Sequence, residues 1–312
     1  LQFKNKIKKE IATLIKEIYP SLIVRSIFSI HKSTPLNDAA GVKNIIAIAS
    51  GKGGVGKSTI ASNLAISLKR VGYNVGLIDA DIYGPSIPLM FDAEGQRPRL
   101  VDNTKDSLMK PVESYGVKIM SIGFFAQPND ALVWRGPMAT RALKQIITQT
   151  VWGELDYLLI DLPPGTSDIH LSLVQSVSIT GAIIVTTPQP VSIIDAKKAI
   201  NMFKMDSIDV PVLGLIENMS WYLGNGEKQY LFGRDGGKNL SSLENIPLLL
   251  ELPLYQSIRE GGDVGRPAAL QETELGEMFI KLAKKVIARI LERNKDLPAT
   301  KKVKITHNKG CN

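Results

Sequence analysis

A glycine-rich loop, Gly51-Lys52-Gly53-Gly54-Val55-Gly56-Lys57-Ser58, holds the residue types that bind phosphate groups. Its glycines let successive backbone N–H groups point inward, and a side chain at those positions would collide with the phosphates. Lys57 supplies a cation to the β and γ phosphates, Ser58 offers a hydroxyl to Mg²⁺, and Thr59 can reach the α phosphate. The pattern predicts a nucleotide site formed by Gly51, Lys52, Gly53, Gly54, Val55, Gly56, Lys57, Ser58 and Thr59, with Lys57 acting in catalysis.

The surroundings of this loop support the same interpretation. An apolar run at residues 44–50 precedes it, and a helical pattern begins at Lys57. The positive end of that helix would add to anion binding. A merely glycine-rich turn does not explain why Lys57, Ser58 and Thr59 stand at a helix start.

Two aspartates follow other apolar runs, at the strand ends where ligands of open α/β sheets bind. Asp161 follows a run of four apolar residues and is predicted to hold Mg²⁺, while the following Pro163-Pro164-Gly165 shapes a loop. Asp81 ends the segment 77–81 and is the candidate for orienting an attacking water. A lone aspartate at a strand end is usually a turn former, but a phosphate-binding loop in the same chain makes function the better hypothesis.

The sequence favours ATP over GTP. It contains neither an Asn-Lys-x-Asp nor a Thr-Lys-x-Asp motif, which would read guanine. Asn218 ends an apolar run and is positioned to hydrogen-bond an adenine. On spacing alone, a strand-ending turn residue is an equally good interpretation of Asn218.

Alternating strand and helix patterns predict an α/β fold, with a mostly parallel sheet covered by helices on both faces. Strands are predicted at residues 44–50, 74–79, 117–122, 157–161, 181–187, 211–217 and 248–252. Helices are predicted at residues 57–71, 137–150, 169–177, 193–205, 237–243 and 274–292. The last helix has a basic outer side, so a membrane anchor competes with a helix packed on the sheet, and the packed helix is the commoner arrangement.

The two ends of the chain differ from this central pattern. Residues 8–18 predict a helix and residues 22–30 a strand, which together read as a short N-terminal α/β remnant. We therefore divide the chain into a partial N-terminal segment at 1–36, the main domain at 37–293 and a basic tail at 294–312.

Charge and cysteine content limit the kinds of partner. The net charge is +8, but residues 1–19 contribute +3 and residues 283–312 contribute +7, which leaves −2 for the remainder. A nucleic-acid partner is therefore not expected for the main domain. The single cysteine, Cys311, suits a reducing compartment, and no apolar run approaches the about 20 residues of a membrane-spanning helix. We expect a cytoplasmic protein.

Several segments together resemble the deviant Walker A ATPases of the MinD/ParA/ArsA type, and more narrowly the Mrp (ApbC) subgroup. The segments are the loop with Lys52, Asp79-Ala80-Asp81-Ile82-Tyr83-Gly84-Pro85-Ser86-Ile87-Pro88, Trp134-Arg135-Gly136-Pro137-Met138, residues 161–168 and Glu217-Asn218-Met219-Ser220. The resemblance implies a P-loop NTPase fold of the SIMIBI type and an ATP-hydrolysing homodimer. It implies that Lys52 reaches the phosphates of the partner protomer and that Asp81 takes part in hydrolysis.

The resemblance further implies an iron–sulfur cluster carrier that passes clusters to apoproteins. Members of the subgroup have Cys-x-x-Cys shortly after the Glu-Asn-Met-Ser segment, because thiolates ligate such clusters. Here residues 221–233 contain no cysteine, and Cys311 stands alone in the tail, so the cluster ligands are unknown. A positioning ATPase of the MinD or ParA kind, and a scaffold that binds ATP without hydrolysing it, are the competing hypotheses.

Overall fold

The computed structural model describes residues 41–102, 107–125, 136–166, 170–171, 173–174 and 177–298. These residues fall within the larger of the two compact units of the chain, residues 36–312. The predicted N-terminal helix and strand lie outside the described residues, as do residues 299–312 of the tail. The three-part division of the chain therefore stays a prediction.

The described strands and helices alternate along most of the chain. The strands are β1 (Val42–Ala49), β2 (Val75–Asp79), β3 (Arg99–Leu100), β4 (Met109–Lys110), β5 (Val112–Ser114), β6 (Val117–Ser121), β7 (Leu155–Asp161), β8 (Gly181–Thr186), β9 (Val212–Asn218), β10 (Tyr222–Gly224), β11 (Glu227–Gln229) and β12 (Leu248–Leu252). The helices are α1 (Lys57–Arg70), α2 (Ile87–Met90), α3 (Gly136–Thr148), α4 (Pro190–Lys204), α5 (Gly236–Glu244), α6 (Gln256–Asp263) and α7 (Glu274–Asp296).

Eight of these strands form one sheet, in the order β12-β9-β8-β1-β7-β2-β6-β5. All neighbours pair in parallel except β5, which runs antiparallel to β6 at the edge. Parallel strands bring their carboxyl ends to one edge of the sheet, where ligands bind in open α/β folds. The ends of β1, β7, β2 and β6 therefore lie side by side along that edge.

Both faces of the sheet are buried, which explains why the strands read as continuous apolar runs. In β1, Ile45 and Ala47 join one apolar cluster, whereas Ile46 and Ile48 join the other. Helices α3 and α4 complete the first cluster, and α1 and α7 complete the second. The predicted α/β fold with helices on both faces is confirmed.

Helix α7 settles the choice between a packed helix and a membrane anchor. Its N-cap, Thr273, accepts a hydrogen bond from the N–H of Gly276, and Phe279 and Val286 on its apolar side are fully buried in the cluster between the helix and the sheet. The helix runs to Asp296, past the predicted end at Glu292. Since its apolar face is already used for packing, the packed arrangement is confirmed.

All seven predicted strands are present, with ends that differ from the prediction by at most two residues. Helix α4 begins earlier than predicted, at Pro190, because proline's fixed backbone angle suits the first turn of a helix. Four short strands were not predicted: the pair β3–β4 and the hairpin β10–β11. The edge strand β5 and the helices α2 and α6 were not predicted either.

Candidate functional site

The glycine-rich loop connects the central strand β1 to α1, and close packing explains two of its four glycines, Gly51 and Gly56. A Cβ atom on Gly51 would lie 2.1 Å from the carbonyl carbon and oxygen of Asp195 in α4. One on Gly56 would lie 2.2 Å from Nδ2 of Asn218, and Gly56 also has a φ of +84°, which favours glycine. The loop is therefore pressed between α4 and β9, with no room for side chains at either position.

Lys57, at the start of α1, is held by the two predicted acidic residues. Its Nζ donates to Oδ1 of Asp161 at 2.7 Å and lies 3.9 Å from Oδ2 of Asp81. It also donates to the hydroxyl of Ser58 at 3.4 Å. The Lys57 and Asp161 side chains are buried, with 6% and 0% exposure. The structure thus brings four predicted site residues into one cluster.

Asp161 has the features expected of a Mg²⁺ ligand. Its Oδ2 is buried and accepts no hydrogen bond from any described residue. Burial raises the pKa of Asp161, while the positive charge of Lys57 opposes that effect. Mg²⁺ in nucleotide sites takes only one or two protein oxygens and completes its shell with phosphates and water. A free carboxylate oxygen near the Ser58 hydroxyl fits this requirement.

Other metal sites find no support in the described part of the chain. No group of three or more His, Cys, Asp or Glu side chains there is placed to hold a metal ion. A site made by Ser58, Asp161 and a bound nucleotide does not need such a group, because phosphate oxygens supply the remaining ligands.

Asp79 is a buried acid that the sequence analysis did not single out. It ends β2 directly beside Asp161 of β7 in the sheet register. Burial, followed by the charge of Asp161, raises the pKa of Asp79 to about 7. Its signal in the sequence was its position two residues before Asp81, at the end of an apolar run.

Lys52 differs from Lys57 although both belong to the same loop. Lys52 is half-buried, and its backbone carbonyl accepts a hydrogen bond from the Ser50 hydroxyl at 2.9 Å. Within the described ranges, its ammonium forms no ion pair within 4.0 Å. Its charge is therefore not used by the acidic cluster of its own protomer.

Asn218 lies at the wall of a cavity of about 260 Å³ beside the loop. Its Nδ2 donates to the carbonyl of Val55 at 2.9 Å, so the residue ties the end of β9 to the phosphate-binding loop. The next residue, Met219, has a φ of +57°, a strained conformation that often marks functional sites. The cavity is lined by Gly56, Thr59, Leu89, Met90, Asn218, Met219, Pro253, Leu254, Tyr255, Ile258, Arg259, Gly262 and Asp263.

Residues 41–287 match the family model of ParA described as the NUBPL iron-transfer P-loop NTPase. The matched range contains the phosphate-binding loop, Asp81, Asp161 and Asn218. The chain belongs to this family. Together with the Lys57 cluster, this makes the glycine-rich loop a P-loop and the chain a P-loop ATPase of the MinD/ParA type.

The chain is also similar, over most of its length, to curated proteins named iron–sulfur cluster carrier protein. The iron–sulfur cluster carrier protein of Escherichia coli K12 is 47% identical over 262 residues, which is 83% of this chain and 70% of that protein. The iron–sulfur cluster carrier protein of Haemophilus influenzae is 45% identical over 263 residues, with the same coverage of both chains. The resemblance to the Mrp-type subgroup is confirmed.

Solved structures agree with the P-loop ATPase assignment. A nucleotide-binding protein of Archaeoglobus fulgidus in complex with ADP is 35% identical, with a TM-score of 0.65, over 77% of this chain and 93% of that one. The septum site-determining protein MinD of Pyrococcus horikoshii, complexed with Mg-ADP, is 25% identical, with a TM-score of 0.60 and coverages of 81% and 99%. The predicted P-loop NTPase fold is therefore confirmed.

Among the described residues of this family member, no helix is both long and apolar enough to cross a bilayer.

Proposed function

We propose that this P-loop ATPase is a cytoplasmic homodimer that couples ATP binding and hydrolysis to the transport of iron–sulfur clusters. The observation that carries the ATPase part is the buried Lys57–Asp161 pair with Asp81 beside it. The carrier part is supported by the names of relatives that are nearly half identical to the chain. These relatives favour a cluster carrier over a positioning ATPase.

Different groups of the P-loop bind the phosphates and the metal ion in this proposal. Backbone N–H groups of residues 51–58 and the N-terminus of α1 bind the phosphate oxygens, and Lys57 turns its charge from Asp161 toward the β and γ phosphates. Ser58 and Asp161 would hold Mg²⁺, which when bound neutralises charge on those oxygens. Asp81, beside Lys57, orients the attacking water.

We assign the cavity beside Asn218 to the nucleotide base. It adjoins Thr59, next to the expected position of the α phosphate, and its walls are mostly apolar. The Asn218 amide already donates one hydrogen to Val55, which leaves its oxygen and second N–H for an adenine edge.

Lys52 completes the site of a second protomer in this proposal. Its charge is not used by Asp81 or Asp161 of its own chain, although it lies in the same loop. A homodimer that joins the carboxyl edges of two sheets would bring each Lys52 to the phosphates bound by its partner. ATP then promotes association because both protomers contact it.

The cargo site is where this chain departs from the Cys-x-x-Cys pattern. Residues that follow Asn218 form the hairpin β10–β11, whose Tyr222 and Leu223 are exposed. Since the sequence has one cysteine, a cluster held by protein thiolates would use Cys311 from each of two protomers. Apoproteins that need a cluster would be the recipients.

Replacing Cys311 with serine tests the cargo directly. We expect anaerobic reconstitution with iron and sulfide to give the wild-type protein a visible chromophore with bound iron per dimer, and the Cys311→Ser variant to lose both, because serine offers no thiolate. ATP hydrolysis should be equal in the two proteins. Absence of bound iron from both would contradict the carrier proposal, and ATP-dependent sedimentation with anionic liposomes or DNA would then support a positioning ATPase.

A further inference from the structure

The carboxylate of Asp79 ties together both ends of the loop that connects β2 to α2. Its Oδ1 accepts a hydrogen bond from the N–H of Asp81 at 3.2 Å, and its Oδ2 accepts one from the N–H of Ile87 at 3.1 Å. The loop, residues 80–86, carries the carboxylate of Asp81 next to Lys57. The backbone position of Asp81 therefore depends on the orientation of the Asp79 side chain.

Ser121, at the carboxyl end of β6, fixes that orientation from the other side. Its hydroxyl donates to Oδ2 of Asp79 at 3.0 Å and accepts from the N–H of Gly123 at 2.9 Å. Ser121 and Asp79 both have 0% exposure, so water does not compete for these bonds. Since Ile87 donates to the same oxygen, Ser121 completes the set of donors that holds the carboxylate still.

The turn that follows Ser121 also packs against the loop. A Cβ atom on Gly123 would lie 3.1 Å from Cβ of Pro85, so the backbone of the turn lies close to the proline ring of the loop. Two contacts thus link the end of β6 to the loop of Asp81: the buried hydrogen bond to Asp79, which in turn accepts from both ends of the loop, and the packing of Gly123 on Pro85.

We propose that Ser121 is a positioning residue for ATP hydrolysis, which acts through Asp79 to hold Asp81 in place. This inference rests on the proposed role of Asp81. It predicts that losing the hydroxyl slows the chemical step more than it weakens nucleotide binding, because Ser121 lies on the far side of β2 from the P-loop, at the end of β6.

Kinetics of Ser121 variants test this role. For Ser121→Ala we expect kcat to fall by about tenfold, the effect of one lost hydrogen bond on a positioned group. Affinity for a non-hydrolysable ATP analogue should stay within about twofold of wild type, because the phosphate contacts are intact. Ser121→Thr keeps the hydroxyl and should restore most of kcat. Ser241→Ala is the matched control, since its hydroxyl donates to the carbonyl of Ile246 at 2.5 Å, outside the site, and kcat should not change.

Thermal melting of each variant separates a kinetic effect from unfolding. If Ser121→Ala melts below the assay temperature, Ser121→Cys replaces it, because the thiol fills the space of the hydroxyl but is a weaker donor, and a fall in kcat is again expected. Unchanged kcat in the folded variant, or an equal loss of analogue binding, overturns the inference. Turnover that is normal in Ser121→Ala but collapses in Asp81→Ala overturns this inference alone. Turnover that survives Asp81→Ala overturns the proposed role of Asp81 and the inference with it.

Discussion

Replacing Asp81 with alanine is expected to slow ATP hydrolysis by about 10²- to 10³-fold while nucleotide binding is retained. The reason is that Asp81 lies at the edge of the cluster that Lys57 forms with Asp161. Its Oδ2 lies 3.9 Å from Nζ of Lys57, whereas Asp161 takes the close contact at 2.7 Å. Its side chain is 15% exposed, so it can reach a water near the γ phosphate without first breaking the buried pair.

Two assays on the same preparation check this expectation. Phosphate release measures turnover, and titration with a fluorescent ATP analogue measures binding. Asp206→Ala is a suitable control, because Asp206 is an exposed aspartate after α4 and should change neither quantity. Wild-type turnover in Asp81→Ala, or loss of binding in step with turnover, would contradict the proposed role.

Replacing Lys57 with alanine should have a still larger effect, on both binding and stability. The variant loses the cation that meets the β and γ phosphates, so we expect ATP affinity to fall by more than about 100-fold, the effect of a lost charged hydrogen bond. It also leaves the fully buried Asp161 without its partner, and removing one member of a buried ion pair costs about 3–5 kcal/mol of folding free energy.

The stability loss in Lys57→Ala should depend on pH in a defined direction. Burial already raises the pKa of Asp161, and loss of the Lys57 charge raises it further. The folded variant then binds a proton that the unfolded chain releases. The contribution of Asp161 to stability is therefore greatest below the unfolded pKa of an aspartate, about 4, and is lost as pH rises from there through the raised folded pKa.

Denaturant unfolding of wild type and Lys57→Ala at a series of pH values, from about 4 upward, measures the free energy of unfolding and its dependence on pH. Lys43→Ala provides the comparison, because Lys43 pairs with Asp156 at 2.8 Å but is 67% exposed, and such surface pairs contribute little. An equal stability and an equal pH dependence in wild type and Lys57→Ala would show that Lys57 does not hold Asp161 ionised.

Much of this architecture could be predicted because the strands are buried on both faces. The apolar runs of β1, β2 and β7 mark their positions, and parallel pairing then places Asp161 and Asp81 at one edge. The P-loop follows from residue types and spacing alone. The sequence therefore predicted which residues meet, although Lys57 and Asp161 are 104 positions apart.

The features that were not predicted either depend on tertiary contacts or lie in segments too short to show a hydrophobic periodicity. Strand β5 has three residues and is held by pairing with β6, so no pattern marks it. The hairpin did carry a signal, since Asn225-Gly226 is a favoured turn for two-residue hairpins and both residues have positive φ. The Ser121–Asp79 bond joins two strands that are distant in sequence, so only the fold shows it.

The proposed ATP hydrolysis depends on a shared site, in which Asp81 acts within one protomer and Lys52 acts on the nucleotide of the other. Lys52→Ala and Asp81→Ala should each fold, bind ATP and show almost no turnover alone. In a mixed dimer, one of the two sites has both its own Asp81 and the partner's Lys52.

The most direct measurement is therefore phosphate release from an equal mixture of Lys52→Ala and Asp81→Ala proteins, after subunit exchange. With random pairing, half of the dimers are mixed and each has one complete site, so we predict about one quarter of wild-type turnover. If the mixture stays as inactive as the separate variants while both bind ATP, Lys52 does not act across a dimer, and the shared ATP site is wrong.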